Sequence, residues 1–152
     1  MSNFKLSRRS LRNLEGVRTE LQDVVHIAIE LTPVDFGVIE GLRTIERQEE
    51  LFEAGASQTM NSKHIIGAAV DLLAYIGSRG SWEHVLYNDI ADAMKDAAIH
   101  VGVGLRWGAA WNIPDITKYP DMPCSAMTES YIDYCRSRNK KPFIDAVHFE
   151  LV

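Results

Sequence analysis

The chain has 152 residues, of which 46% are hydrophobic and 24% are charged, and its formal net charge is -5. This length fits one domain that buries about two-thirds of the surface of its unfolded chain. The negative charge argues against a nucleic-acid binder that neutralises phosphates, and no apolar run is long enough to span a membrane.

The N-terminus and the cysteines indicate the compartment of synthesis. Residues 1–12 are polar and basic and lack the apolar core of a secretory signal, so we expect synthesis in a cytoplasm. Cys124 and Cys135 are the only cysteines. Two cysteines make neither a disulfide framework nor a four-cysteine zinc site, so we expect both thiols to be reduced and structural.

Apolar spacing and turn residues predict helix, strand and helix in the first part of the chain. Apolar residues that recur every three or four positions predict a helix over residues 7–31, which Pro33 ends. A short strand is predicted over residues 34–42. Thr44 is the predicted N-cap of a second helix over residues 45–54, which Gly55 ends.

The remaining elements are shorter, apart from one long helix. Ser81 is the predicted N-cap of that helix, which runs to residue 101. The other predictions are strands over 72–76, 103–108 and 143–152, a turn over 77–80, an irregular segment over 112–124 and a helix over 128–138. Helices and short strands mixed in this way predict a single α+β domain with a small antiparallel sheet flanked by helices.

The stretch from Ser62 to Asp71 carries two metal-ligand types, His64 and Asp71, among small and apolar residues. Seven residues span about 10 Å in a helix and about 23 Å in a strand, so both side chains reach one ion only if the backbone bends between them. Gly67 is the residue that allows such a bend. Taken alone, the stretch is better explained by a surface histidine and an unrelated aspartate that caps the next element.

The last predicted strand supplies the complementary residues. His148 shares a strand face with Glu150, and Asp145 lies three residues before it. Two histidines and one carboxylate, with the fourth position left to water, form a recurrent catalytic zinc arrangement. We therefore predict a zinc site on the sheet face with the ligands His64, Asp71 and His148.

The same residues predict a hydrolytic mechanism. Zinc lowers the pKa of water from 15.7 to about 7 and polarises a carbonyl, and Asp145 is the predicted general base for that water. Glu150 competes for this role or orients a ligand. Arg43 is either an ordinary surface charge or a group that stabilises an oxyanion or holds a substrate carboxylate. The sequence contains neither His-Glu-x-x-His nor Gly-x-Ser-x-Gly.

Two separated motifs carry a family resemblance: Ser62-x-His64-x-x-Gly67-x-Ala69-x-Asp71 and Asp145-x-x-His148. Together they resemble the zinc D-alanyl-D-alanine carboxypeptidase and L-alanyl-D-glutamate peptidase family, and within it the phage endolysins that cut the stem peptide of peptidoglycan. Further similar blocks are Gly41-x-Arg43 through Gln48, Leu105-Arg106-Trp107-Gly108 with Trp111-Asn112, and the closing His148-Phe149-Glu150-Leu151. The likeness extends from about residue 34 to the C-terminus.

The resemblance implies roles for the site residues. It implies His64, Asp71 and His148 as Zn²⁺ ligands and Asp145 as the catalytic base. The substrate side of the site would comprise Arg43, Ser62, Gln48 and Trp107, although the tryptophans are explained equally well by core packing. The family commonly has an aspartate where this chain has Ala110, so one acid is missing while the predicted ligands and base are present.

The resemblance also implies a biological setting. Residues 1–152 would form one zinc peptidase domain without a separate cell-wall-binding domain, acting as a monomer on peptidoglycan stem peptides. Such an endolysin is made in the host cytoplasm without a signal peptide and acts in the periplasm or cell wall after release, binding no nucleic acid and inserting in no membrane.

Two alternatives to this function remain open at this level. One is a D,D-carboxypeptidase that removes terminal D-alanine, and the other is a non-catalytic zinc-binding recognition module. A binding module has no use for a carboxylate beside the metal, so the presence of Asp145 favours an enzyme.

Overall fold

The computed structural model describes residues 3–152, and residues 1 and 2 of the predicted domain lie outside the described residues. The described elements, in chain order, are α1 (Arg8–Asn13), α2 (Thr19–Leu31), β1 (Asp35–Glu40), α3 (Ile45–Glu53), a 3-10 helix (Lys63–Ile66), β2 (Ala69–Ile76), β3 (Arg79–Ser81), α4 (His84–Val101), β4 (Leu105–Trp107), a second 3-10 helix (Ile116–Lys118), α5 (Cys124–Ser137) and β5 (His148–Leu151). None of the described helices has the length and apolar character needed to cross a membrane.

Strand β2 is the centre of an antiparallel sheet whose order is β1-β2-β5-β4, with β3 paired to the distal end of β2. Strand β1 runs along residues 72–75 of β2, and a register shift then brings Glu40 opposite Asp71. On the other edge, β5 pairs with residues 69–71 and places His148 opposite Asp71. Chain segments distant in sequence therefore meet at Asp71.

The two faces of this sheet have opposite character because successive side chains of a strand point to opposite sides. One face is apolar and fully or almost fully buried, and it comprises Phe36, Val38, Val70, Leu72, Ala74, Leu105, Trp107, Phe149 and Leu151. The intervening positions Asp71, Arg106, His148 and Glu150 therefore share the opposite face. Chemistry-bearing residues are concentrated on that second face.

The helices supply the remainder of the core. Helix α2 buries Leu21, Val24, Val25 and Ala28 completely, and these residues belong to the same apolar cluster as the sheet. Helix α4 contributes Ile90 and Met94, and its Tyr87 hydroxyl donates to Ser81 O at 2.6 Å while it accepts from Ala74 N at 3.1 Å. The predicted α+β domain, with a small antiparallel sheet flanked by helices, is confirmed.

The predicted first helix over residues 7–31 was wrong in one respect, because it is two helices. Helix α1 ends at Asn13, and Gly16 then adopts φ +83° before α2 begins at Thr19. A left-handed residue cannot continue an α-helix, although the apolar spacing on its two sides is compatible with one stripe. The backbone N–H of Arg18 donates to Gly67 O at 2.9 Å, so this break docks on the chain next to the predicted site.

Most other element predictions are confirmed with shifted ends. Thr44 caps α3 by accepting from Arg47 N at 3.1 Å, as predicted. Ser81 does not cap α4, since it lies in β3 and Glu83 occupies the cap position. The last strand contains only residues 148–151, so Asp145 lies on the loop that precedes it. The buried thiols of Cys124 and Cys135 are free, in agreement with the expected reduced state.

The predicted bend at Gly67 is confirmed. The 3-10 helix ends in Gly67 with φ +70°, and β2 starts two residues later. A side chain at Gly67 would also be obstructed, because an added Cβ would lie 2.6 Å from Gly16 O. The bend that turns His64 back towards Asp71 therefore requires both a left-handed residue and a close backbone contact.

We expect Gly67→Ala to lower the free energy of unfolding by more than Gly77→Ala. Gly77 also has positive φ, at +62°, but nothing lies within 4 Å of its added Cβ. The Gly77 variant should therefore show only the left-handed strain of about 1 kcal/mol, and the Gly67 variant about 2 kcal/mol or more. Urea unfolding of both variants measures the difference, and equal losses would contradict the importance of the close contact.

Candidate metal centre

The three predicted metal ligands come together on the polar face of the sheet. His64 Nε2 lies 3.0 Å from Asp71 Oδ1, and His148 Nδ1 lies 3.2 Å from the same oxygen. One potential ligand atom from each of the three residues lies within 4.8 Å of the others, and His64 and His148 are 1% and 7% exposed. The pairing of β2 with β5 brings two of them together, and the 3-10 helix supplies the third.

His64 is oriented by hydrogen bonds from its own segment and from the end of β1. Ser62 caps the 3-10 helix by accepting from His64 N at 3.2 Å. The imidazole Nδ1 lies 2.8 Å from Gly41 O, which can only accept, so Nδ1 carries the proton and donates. The Nε2 atom that faces Asp71 is therefore the acceptor nitrogen of the neutral ring.

The imidazole of His148 is oriented by the carboxylate of Glu150, as that of His64 is by Gly41 O. Its Nε2 lies 2.8 Å from Glu150 Oε1, which leaves Nδ1 to face Asp71. When both rings are neutral, each directs a lone pair at the same carboxylate oxygen. Three acceptors around one point repel each other unless a proton or a metal cation lies between them, so the donor set fits a metal ion.

The pKa values without a metal reflect the same crowding. Burial acts to raise the pKa of Asp71, but hydrogen bonds from His148 and His64 and their charges outweigh it and hold the pKa well below the usual range. Burial acts to lower the pKa of His148, but its hydrogen bonds to Asp71 and Glu150 raise it to about 9. The centre is thus strongly attractive to positive charge.

Arg43 lies at the edge of the centre, and its guanidinium is already engaged. It donates to Glu40 through Nε at 2.6 Å and through Nη2 at 2.7 Å, and its Nη2 lies 3.6 Å from Asp71 Oδ2. Its Nη1 donates to Gln48 Oε1 at 2.7 Å. Gln48 is fully buried and also donates to Ser57 Oγ at 2.9 Å. It therefore contacts Arg43 from the protein interior, and it does not line the cleft.

Asp145 reaches the centre from the loop between α5 and β5. Its backbone N–H donates to Gly108 O at 2.9 Å, and its carbonyl accepts from His148 N at 3.0 Å. Burial and the negative charge of Asp71 raise the pKa of Asp145, against the lowering effect of His148, His64 and Arg43. Its carboxylate has no hydrogen-bond or ion-pair partner among residues 3–152, which leaves it available for proton transfer.

A cleft of about 590 Å³ opens in front of the centre. Arg43, Ser62, Glu150 and Asp145 line it together with the three candidate ligands, so most of the predicted site residues share this cavity. Its apolar walls are Leu51, Trp111, Tyr131 and Phe143. The size and the mixed lining suit a short peptide segment.

Trp107 does not line the cleft, contrary to its predicted contact with substrate. It is fully buried on the apolar face of the sheet, where its Nε1 donates to Ala146 O at 2.8 Å. Trp111 lies at the cleft instead, with its ring 5.4 Å from that of His148. Ala110, which stands where the family commonly has an aspartate, is also fully buried.

Sequence reasoning overlooked Arg106, which lines the cleft between Glu150 and Trp111. The signal that could have found it is the alternation Leu105-Arg106-Trp107. If both apolar residues face the core, the arginine between them faces the other side of the sheet.

Comparisons with known proteins identify the family of this chain. The model of the family described as phage L-alanyl-D-glutamate peptidase matches residues 1–152. The L-alanyl-D-glutamate peptidase of Escherichia phage T5 is 34% identical over 114 residues, which cover 72% of this chain and 83% of that protein. The L-alanyl-D-glutamate peptidase of Listeria phage A118 is 32% identical over 75 residues, which cover 49% of this chain and 26% of that protein.

A solved structure also resembles this fold. The crystal structure of the Serratia marcescens L-Ala D-Glu endopeptidase ChiX superposes with a TM-score of 0.67 and 38% sequence identity. The match covers 76% of this chain and 94% of that chain. With a family model that matches its whole length, this chain belongs to the phage L-alanyl-D-glutamate peptidase family.

Proposed function

We propose that this protein is a zinc peptidase that hydrolyses the L-alanyl-D-glutamate bond in the stem peptides of bacterial peptidoglycan. The observation that carries the proposal is the convergence of His64, Asp71 and His148 beside an unpaired carboxylate, Asp145, in one cleft. The names of the relatives support the choice of bond.

Zinc is the metal that the donor set fits best. Two imidazole nitrogens and one carboxylate oxygen are the ligand types of catalytic zinc sites, which leave a position open for water or substrate. Each imidazole has an acceptor on its outer nitrogen, Gly41 O for His64 and Glu150 for His148, as zinc-bound histidines usually do. When bound, zinc would lower the pKa of a water molecule and polarise the substrate carbonyl.

Asp145 is the proposed general base and, later, the general acid. It accepts a proton from the water whose oxygen bonds to the alanine carbonyl carbon. It then gives that proton to the glutamate nitrogen as the carbon–nitrogen bond breaks. A carboxyl group whose pKa is raised by burial and by Asp71 holds a proton between these two steps better than an exposed one.

The remaining cleft residues would bind substrate and stabilise charge. Arg43, buried and fixed by Glu40 and Gln48, is the proposed donor towards negative charge that develops on the carbonyl oxygen. Ser62, at the start of the 3-10 helix, lines the same cleft and is a proposed contact of the peptide backbone. Gln48 and Trp107 are proposed positioning residues. Gln48 orients Arg43, and Trp107 holds the loop that carries Asp145.

The phage origin of the relatives supports a role in host lysis. We propose an endolysin that is made in the host cytoplasm and acts on the cell wall after release, as a monomer and with one catalytic domain. Its substrate is the peptidoglycan stem peptide, and the proposal involves neither nucleic acid nor membrane insertion.

We expect the purified protein to hold about one zinc ion per chain, and His64→Ala or His148→Ala to lose it. Each variant removes one of the three proposed ligands found among residues 3–152, and the two that remain are too few to hold the ion. Metal analysis after dialysis against a weak chelator measures the loss. His26→Ala, at an exposed histidine of α2, is the matched control and should retain the metal. Full zinc occupancy in the ligand variants would contradict the assigned centre.

We expect Asp145→Asn to reduce kcat on purified peptidoglycan by about 10²- to 10⁴-fold while the zinc content is unchanged, because the amide cannot accept the proton. Glu150→Gln should instead weaken zinc binding, by about 10- to 100-fold, because Glu150 contacts the outer nitrogen of His148. Turnover and zinc content are measured on the same preparations. Full activity of the Asp145 variant would refute its role as base.

We expect digestion of defined peptidoglycan to release fragments with a new amino group on D-glutamate. Mass spectrometry after labelling of amines identifies this product. A D,D-carboxypeptidase would instead release free D-alanine, and that result would overturn the assigned bond.

A further inference from the structure

The charged side chains of the cleft form pairs, with two exceptions. Glu40 pairs with Arg43, and Asp71 contacts both histidines. Glu150 contacts His148 at 2.8 Å and lies 3.9 Å from Lys63 Nζ. Among the cleft residues within 3–152, this leaves one unpaired acid, Asp145, and one cation without an ion pair, Arg106. The proposed mechanism uses the acid and leaves the cation without a role.

Arg106 is fixed in place although no carboxylate holds it. Its Nη2 donates to Trp111 O, and its guanidinium lies over the Trp111 ring at 5.1 Å from the centroid. The Nε atom is buried and has no partner within the described residues. The opposite residue on β5 is Glu150, but the two form no ion pair within 4 Å. Stacking on an aromatic ring keeps a guanidinium fork in one orientation while leaving donors free.

The position of Arg106 is close to the reacting centre. The Trp111 ring on which it stacks lies 5.4 Å from the His148 ring, and both residues line the same cleft as Asp145. The cleft also contains four acidic side chains, Glu40, Asp71, Asp145 and Glu150. Its cationic side chains are Arg43, Lys63 and Arg106. Arg43 and Lys63 already lie beside acids, so Arg106 is the cation left to receive an anionic group of the substrate.

We propose that Arg106, stacked on Trp111, binds the free carboxylate of the substrate's D-glutamate and so selects substrates in which that carboxyl group is not amidated. This inference rests on the proposed function. Glutamate has two carboxyl groups, and its nitrogen is joined to alanine. Whichever carboxyl group continues the peptide, the other remains either a carboxylate or a primary amide.

The chemistry of the two forms explains the selection. A carboxylate accepts two parallel hydrogen bonds from a guanidinium and neutralises its charge. A primary amide offers one acceptor and directs its own N–H donors at a cation. A buried donor left unpaired in the bound state makes such a site reject the wrong analogue. Arg106 is suited to this discrimination because no carboxylate of the described chain forms an ion pair with its guanidinium.

The test compares two tripeptides that contain the L-alanyl-D-glutamate bond. Both are acetylated at the N-terminus and amidated at the C-terminus. They differ only in the glutamate carboxyl group outside the peptide chain, which is a free carboxylate in one and a primary amide in the other. We expect the zinc-loaded wild-type protein to cleave the carboxylate form with a kcat/KM about ten- to a hundredfold higher than that of the amide form. Arg106→Gln should lower kcat/KM on the carboxylate peptide to the value of the amide peptide. Its kcat/KM on the amide peptide should not fall, so that the preference between the two peptides is lost.

Two further variants control for charge and folding. Arg106→Lys keeps the charge but not the fork and should retain part of the preference. Arg47→Gln removes an exposed cation of α3 outside the cleft and should leave both values unchanged. Thermal unfolding and zinc content are compared across all variants. A third peptide, with its only free carboxylate at the chain end, separates recognition of glutamate from recognition of a terminus.

The outcomes are distinct. Equal cleavage of both peptides by the wild-type protein would overturn this inference while leaving the proposed function intact. An equal loss on both peptides in the Arg106→Gln variant would show a structural role and would also overturn it, as would a preference that follows the chain-end carboxylate. Cleavage of neither peptide by the zinc-loaded wild-type protein would overturn the proposed function and this inference with it.

Discussion

The antiparallel pairing of β2 with β5 determines both how the core packs and where the site residues meet. It places Asp71 opposite His148, although 77 residues separate them in the chain. The same register places Phe149 opposite Val70 in the core. A shift by one residue would exchange the two faces, so the packing of the core and the assembly of the site are specified by one register.

Concentrating ionisable groups on one face of a small sheet opposes folding unless each group has a partner. Bringing a charge out of water costs several kcal/mol, and this cost is offset only by good geometry and further hydrogen bonds. The structure meets this requirement around Asp71: both histidines contact its Oδ1, while Arg43, tied to Glu40, approaches its Oδ2. Asp145 and Arg106 are the charged side chains of the cleft without ion-pair partners in the described chain. We propose a direct role in catalysis for Asp145 and in substrate recognition for Arg106.

Much of the fold and the core of the site was predictable from local pattern. Thr44 as a cap, Gly67 as a bend and the α+β class were correct because each depends on nearby residues. The continuous first helix was wrong because its apolar stripe is compatible with one helix, whereas Gly16 turns left-handed where the chain docks on Gly67. Trp107 was wrongly assigned to the cleft because composition alone does not specify which face of β4 is covered.

The residue types of the centre follow from the motifs around His64, Asp71 and His148, since two histidines and a carboxylate have few chemical uses in common. The atoms that meet are defined by the packing of distant segments. His64 faces Asp71 through Nε2 and His148 through Nδ1, while Gly41 O and Glu150 contact the other ring nitrogens. The tertiary structure also decided that Gln48 supports Arg43 from the interior and that Arg106, and not Trp107, faces the cleft. The physical reason is that strand parity, register and hydrogen-bond partners are properties of segments packed together, which no single segment specifies alone.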